Sequence, residues 1–201
     1  ITKDKKLIIS NYKKGIQTLK LDDNILYNIF TKNISPKFEN INAPFYNVMS
    51  IVCDHKNNLW FGTFGNGLYK SYSTKLTNFI NFRHEQFNPS SLIDNEIISL
   101  LVDRTNILWI GTHLGKGASR LIKGNIKFNS IQKESNTNLK LNDDVVWSIF
   151  QKDENLFIGT YRGGLNIINF STNSSKYLTK ENSSISDNHI RKVTMDKYGN
   201  L

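Results

Sequence analysis

A single cysteine in 201 residues, Cys53, excludes an internal disulfide and any metal site built from several thiolates. Its setting, "VMSIVCD", reads as that of a small buried hydrophobe. No apolar run approaches the ~18 residues a membrane helix needs. Helical periodicity is nearly absent too. The chain offers no glutamate pair at fixed spacing, no metal-ligand cluster and no nucleophile elbow, so a lyase or hydrolase is disfavoured and no cofactor is called for. Acidic residues are in the minority, 17 Asp+Glu against 26 Lys+Arg, for a formal net charge of +9. That balance favours anionic partners, although lysines on strand edges also deter aggregation with no partner at all. The cations are spread over many loops and form no stripe along one element, which argues against nucleic acid. The sequence starts at Ile1 without a methionine or leader, and nothing about targeting follows from that.

What the chain does have is a repeat. "NNLWFGTFGNGLYK" (57–70) returns as "NILWIGTHLGKGASR" (106–120) and "ENLFIGTYRGGLNI" (154–167), with a degenerate copy, "KKLIISNYKKGIQT", at 5–18. Anchored on Leu7, Leu59, Leu108, Leu156 and Leu201, the steps are 52, 49, 48 and 45 residues. Each unit runs in the same order: an apolar strand ending near an acid, a short turn, the "LWFGT" strand, a glycine-rich hairpin, and two further strands. β-Branched and aromatic residues fill the runs and turn residues punctuate them. Four antiparallel strands per 45–52 residues predict an all-β chain of β-propeller blades, about four blades' worth. The expected boundaries are a blade remnant at 1–40, blades at 41–88, 89–138 and 139–183, and the start of a further blade at 184–201. Trp60, Trp109 and Phe157 are expected to fill the space between blades, with Gly62, Gly111 and Gly159 permitting close approach. The innermost strands are expected to bury Val52, Leu101, Ile149 and Val193.

Two stretches invite misreading. "GTHLGKGAS" (111–119) looks like a phosphate loop, but only three residues separate Gly111 from Gly115, and a strand pattern follows where a helix is required. It reads instead as a two-to-three hairpin, one residue longer than its counterparts. "LKLDDNILYNIF" (19–30) mimics "LKLNDDVVWSIF" (139–150). Counted from the preceding hairpin, however, it should hold the first unit's third strand, a turn and the fourth strand, which makes the likeness accidental.

The phrase D-x-x-x-N-L-W-F-G-T-x-x-x-G-L, preceded by connections such as Ser91–Ile97 and Ser184–Ile190, resembles the two-component regulator propeller repeat. The first unit departs from it, lacking the Trp and the Gly-Thr pair. The resemblance implies the periplasmic sensory ectodomain of a bacterial hybrid two-component histidine kinase controlling polysaccharide use. Such an ectodomain would be non-catalytic itself, with the kinase and the membrane helix in other parts of the protein. It also implies homodimers and seven-bladed propellers, of which this chain would be a piece. A closed four-bladed ring, with the last strand completing the first blade, is the alternative. Propeller topology would gather the two-to-three hairpins and the blade connections on one face. The candidate ligand residues there are Tyr12, Lys13, Lys14, His113, Lys116, Tyr161, Arg162 and His189, with Tyr46, Asn95, Asn188 and Arg191 nearby. Rings beside cations suit an oligosaccharide, especially an anionic one. The alternative is a protein-interaction or dimerisation scaffold with no small ligand.

Overall fold

The computed structural model describes residues 2, 4–11, 15–22, 25, 31, 35–113, 115–122 and 127–201. A three-stranded sheet comes first: β1 (Lys6–Asn11), β2 (Gly15–Lys20) and β3 (Glu39–Ile41). Three four-stranded sheets follow. The second sheet is β4 (Val48–Cys53), β5 (Leu59–Thr63), β6 (Leu68–Ser71) and β7 (Ile80–Phe82). The third is β8 (Ile97–Val102), β9 (Leu108–Thr112), β10 (Ala118–Ile122) and β11 (Lys127–Ile131). The fourth is β12 (Val146–Lys152), β13 (Asn155–Thr160), β14 (Leu165–Asn169) and β15 (Ser174–Leu178). Chain neighbours pair antiparallel within each sheet, and among the described residues only Ile25 and Thr31 are helical.

The first unit differs from its sequence reading. Its outermost strand is Glu39–Ile41, which pairs with Ile16–Thr18 of β2 and runs one residue past position 40. The fourth strand therefore lies in the stretch "SPKFENINAPFYNV", not within 19–30. Leu19 belongs to β2, whereas Leu139 and Leu141 lie in the connection before β12, so the two look-alike segments do occupy different places.

The turn acid explains why the indole follows it at a fixed distance. Asp103 Oδ1 accepts from the backbone N–H of Thr105 and Ile107, while Oδ2 accepts from Trp109 Nε1 at 2.9 Å. Asp54 does the same with Lys56, Asn58 and Trp60 Nε1 (3.1 Å). Burial would raise the Asp54 pKa, but these donors outweigh it and hold the carboxyl below its usual range. Thr2 takes the acid's place in the first unit, its Oγ1 accepting from Lys6 N–H. The fourth unit shortens the turn to Asp153-Glu154, carries Phe157 in place of Trp, and has no indole to anchor.

The core lies between sheets. Trp60 packs on Leu100, Leu108 and Ile110 of the third sheet, and Trp109 on Ile149, Leu156 and Ile158 of the fourth. Phe157 packs against Val193 and Ile190. A Cβ on Gly62 would lie 2.6 Å from Ile97 Cγ2, and one on Gly159 2.7 Å from Ile190 O. Only hydrogen fits at either place. The paired threonine closes each hairpin: Thr63, Thr112 and Thr160 Oγ1 donate to the carbonyls of Gly67, Gly117 and Gly164. "GTHLGKGAS" is such a hairpin, with Gly115 and Gly117 at positive φ and strand β10 beyond it.

The innermost strands correct one expectation. Ile149 and Val193 are buried, but Val52 and Leu101 are only half-buried. A bulge in β4, β8 and β12 just before Ser50, Ser99 and Ser148 shifts the alternation by one residue. Counted from those serines, the equivalents of Ile149 are Leu100, which is buried, and Ile51, which is half-buried. Val52 and Leu101 face the next sheet at its inner edge, where only part of the side chain is covered. Cys53 is likewise half-buried, packed at the edge of the core between the first and second sheets with its Sγ 3.4 Å from Asn57 Oδ1. Residues 184–201 lie against the fourth sheet through Ile190 and Val193 and do not pair beside β1, so they complete no four-bladed ring.

Candidate functional site

Three recurring positions converge on the hairpin face. The residue after each Gly-Thr pair is Phe64, His113 or Tyr161. The residue before each innermost strand is Asn47, Glu96 or Val145, and His189 holds that position in the last unit. The bulge residue is Met49, Ile98 or Trp147, and Arg191 holds that position in the last unit. Backbone bonds fix the first two sets together: Phe64 N–H donates to Asn47 O, His113 N–H to Glu96 O, and Tyr161 N–H to Val145 O. Because these residues follow fixed backbone, their side chains are free to vary and to define a surface.

On the third and fourth units they form a cleft of about 460 Å³ lined by His113, Val145, Trp147, Tyr161 and Arg191. The Trp147 and Tyr161 rings lie 4.9 Å apart, and His189 meets Tyr161 edge-on at 4.7 Å. Arg191 sits 4.8 Å from the Trp147 ring centroid and Arg162 5.0 Å from that of Tyr161. No carboxylate pairs with either guanidinium among the described residues. Both histidines are oriented by acids: His113 Nδ1 donates to Glu96 Oε2 at 3.2 Å, and His189 Nδ1 to Asp187 Oδ1 at 2.6 Å. That hydrogen bond holds the Asp187 carboxyl below its usual pKa, and each imidazole keeps Nε2 as its second polar atom.

Of the residues expected from sequence, His113 and Tyr161 line the cleft with Arg191, while Arg162 and His189 lie against the Tyr161 ring beside it. Lys116 is exposed on the β9–β10 hairpin, outside the cleft lining. Tyr12, Lys13 and Lys14 lie outside the described residues. Asn95 and Asn188 are fasteners and not free rim groups: their Oδ1 atoms accept from His84 and Lys180 N–H, as Asp144 Oδ1 does from Lys133. Burial raises the Asp144 pKa. Trp147 escaped the sequence reading because it sits in an apolar strand. Its signal was the position before Ser50, Ser99 and Ser148, where the copies carry Met49, Ile98 and Trp147. No group of three or more His, Cys, Asp or Glu among the described residues is placed to hold a metal ion.

The two component regulator propeller model matches residues 42–65 and 91–113, each a blade connection with its first two strands. These two segments match the two component regulator propeller repeat. The fourth unit, with its shortened turn and Phe157, repeats the same sheet outside the matched residues. Histidine kinase P4 of Formosa agariphila is 32% identical over 88 residues, 42% of this chain and 6% of that protein. Among solved structures, the extracellular domain of the hybrid two component system BT3049 of B. thetaiotaomicron superposes with a TM-score of 0.70 at 19% identity, covering 89% of this chain and 24% of that one. The extracellular domain of BT4673 from the same organism gives 0.69 at 21% identity, over 98% and 24%. The propeller repeats thus span about a quarter or less of the relatives they match. A lyase shares the blade architecture as well: virginiamycin B lyase of Staphylococcus aureus superposes with a TM-score of 0.58 at 13% identity, over 92% of this chain and 55% of that one.

Proposed function

We propose that this chain is part of the extracytoplasmic sensor of a hybrid two-component histidine kinase, and that it binds an oligosaccharide in the Trp147–Tyr161 cleft. The observation that carries the reading is the arrangement of two aromatic rings, two unpaired guanidiniums and two oriented imidazoles around one cleft of ligand size. Rings present a face to the apolar side of a sugar, imidazole Nε2 atoms meet its hydroxyls, and guanidiniums meet a carboxylate or sulfate in bidentate fashion. The reading favours an anionic glycan on these local cations more than on the net charge. Binding would signal by favouring one arrangement of paired ectodomains held at a membrane, which requires different affinity for the two arrangements.

Calorimetric titration with neutral, uronic and sulfated oligosaccharides tests this. Trp147→Ala is expected to abolish binding, and Arg191→Ala with Arg162→Ala to weaken anionic ligands selectively. A glycan whose affinity is indifferent to Trp147 and Tyr161 would refute the site. A second reading, a protein-docking face, draws on Tyr46 (62% exposed) and Met49 (47%) on the neighbouring unit of the same face. It predicts self-association that Met49→Lys disrupts, with no response to any sugar.

A further inference from the structure

The three full blades carry the same cross-strand row on the face turned toward the preceding blade. In the second sheet it reads Ile51, Phe61, Tyr69, Asn81; in the fourth, Ile149, Ile158, Asn166, Tyr177. In the third it reads Leu100, Ile110, Ser119, Ser130. The outer half of that row meets the connection that enters the blade. Tyr69 stacks on Phe45 at 4.2 Å between ring centroids. Asn166 Oδ1 accepts from Asn142 N–H at 2.6 Å, and Tyr177 Oη donates to Lys140 O. Two serines cannot span the same gap.

The result is a cavity of about 330 Å³ between β10, β11 and the connection 84–93, sharing no lining residue with the Trp147 cleft. Ser119 is 1% exposed and lines this cavity, yet its hydroxyl finds no hydrogen-bond partner among the described residues. A buried hydroxyl left so costs free energy unless something polar enters. The connection above is held in place: Phe128 N–H donates to Ser90 O, Glu85 N–H to Ser91 Oγ, and Ser91 N–H to Asn88 O. It presents Phe87, 92% exposed, at the cavity edge. His84 Nδ1 lies 2.8 Å from Leu92 O, which only a protonated nitrogen can satisfy, so neutral His84 keeps Nε2 as an acceptor.

We propose that this cavity is a second binding site, for a single uncharged sugar ring. One exposed aromatic ring, two serine hydroxyls and an imidazole acceptor complement the apolar face and the hydroxyls of a pyranose. Among the described residues no cation lines the cavity to hold an anion, and its carboxylate, Glu85, already accepts from Asn88 Nδ2. The size falls at the low end of ligand cavities, enough for a monosaccharide unit and not for a long chain.

Saturation-transfer NMR of the whole chain with methyl glycosides of glucose, galactose, mannose and xylose tests the assignment. At least one glycoside should receive transfer. That signal should be lost in Phe87→Ala and in Ser119→Asn with Ser130→Tyr, the pair the fourth blade already accommodates. It should persist in Tyr161→Ala, which acts only at the other cleft. Thermal unfolding of the double variant, at or above the wild-type midpoint, separates a filled cavity from a misfolded chain. Absence of transfer from all four glycosides overturns the proposal. So does transfer that survives the double variant or disappears with Tyr161→Ala, or a double variant that melts well below wild type.

Discussion

Truncating Trp109 measures how much of the fold rests between blades. The indole is 2% exposed, lies against Ile149, Leu156 and Ile158 of the next sheet, and donates to Asp103 from its only polar atom. Trp109→Ala removes both contributions and should cost about 3–5 kcal/mol. Trp109→Phe separates them. A phenyl ring already occupies this position in the fourth unit as Phe157, so the packing survives in the main. What goes is the N–H, leaving one carboxylate oxygen of Asp103 short of a donor, a loss of about 1.5–3 kcal/mol. Guanidinium denaturation with the m-value held constant reads both numbers. A Trp109→Ala midpoint within about 1 kcal/mol of wild type would mean the ring is not interblade core. If Trp109→Phe matches wild type, the acid holds its turn without help from the indole. If it falls as far as alanine, shape and not the hydrogen bond sets the requirement.

Gly111→Ala should cost at least about 1–3 kcal/mol, because the added Cβ would meet Ser99 Oγ and lie 2.6 Å from Val146 Cγ1; thermal melts of this variant against Ser99→Ala/Gly111→Ala should show partial rescue. Asp54 has a lowered pKa, so its contribution is complete above about pH 4 and disappears as pH falls through the folded value. Asp54→Asn should therefore be less stable than wild type at pH 7, and the gap should close in acid. Asp144 has the opposite sign: its pKa is raised by burial, so ionisation at neutral pH works against the fold. Asp144→Asn, the residue found at the same place as Asn95 and Asn188, should stabilise at pH 7 by up to about 1 kcal/mol, the group being only half-buried. The benefit should fade as acid protonates the wild-type carboxyl, and a variant less stable than wild type at pH 7 would reverse the assignment.

Blade order, hairpins and interblade aromatics could be read from the chain because each rests on local chemistry repeated several times. Leu59, Leu108 and Leu156 mark the same strand, and Gly62, Gly111 and Gly159 the same close approach. The fourth strand of the first unit could not be read. Its three residues, Glu39–Ile41, carry too little pattern, and counting strands from the preceding hairpin puts it too early, within 19–30. The innermost strands misled for a different reason. Val52 and Leu101 lie one residue further past the shared serine than Ile149 does, so they are not its equivalents, and the bulge residue Trp147 is masked by the apolar run around it. The charged rim was only half readable. His113, Tyr161 and Arg162 follow from hairpin positions, and His189 from its place in a blade connection. That Asn95 and Asn188 are occupied as backbone fasteners depends on how the connection folds back on His84 and Lys180, which no periodicity announces.

The two faces of the arc are joined by different kinds of bond. On the hairpin side, Gly67, Gly117 and Gly164 N–H donate to the backbone carbonyls of Asn95, Asp144 and Asn188 in the next unit. On the opposite side, His55 and Arg104 N–H donate to the side chains of Asn106 and Gln151. Main-chain bonds are indifferent to residue type, so the rim at Phe64, His113 and Tyr161 can be rewritten without unfastening neighbouring blades. The far rim has no such latitude, since changing Asn106 or Gln151 cuts a stitch. The hairpin face is therefore the one on which new specificities can arise at little structural cost.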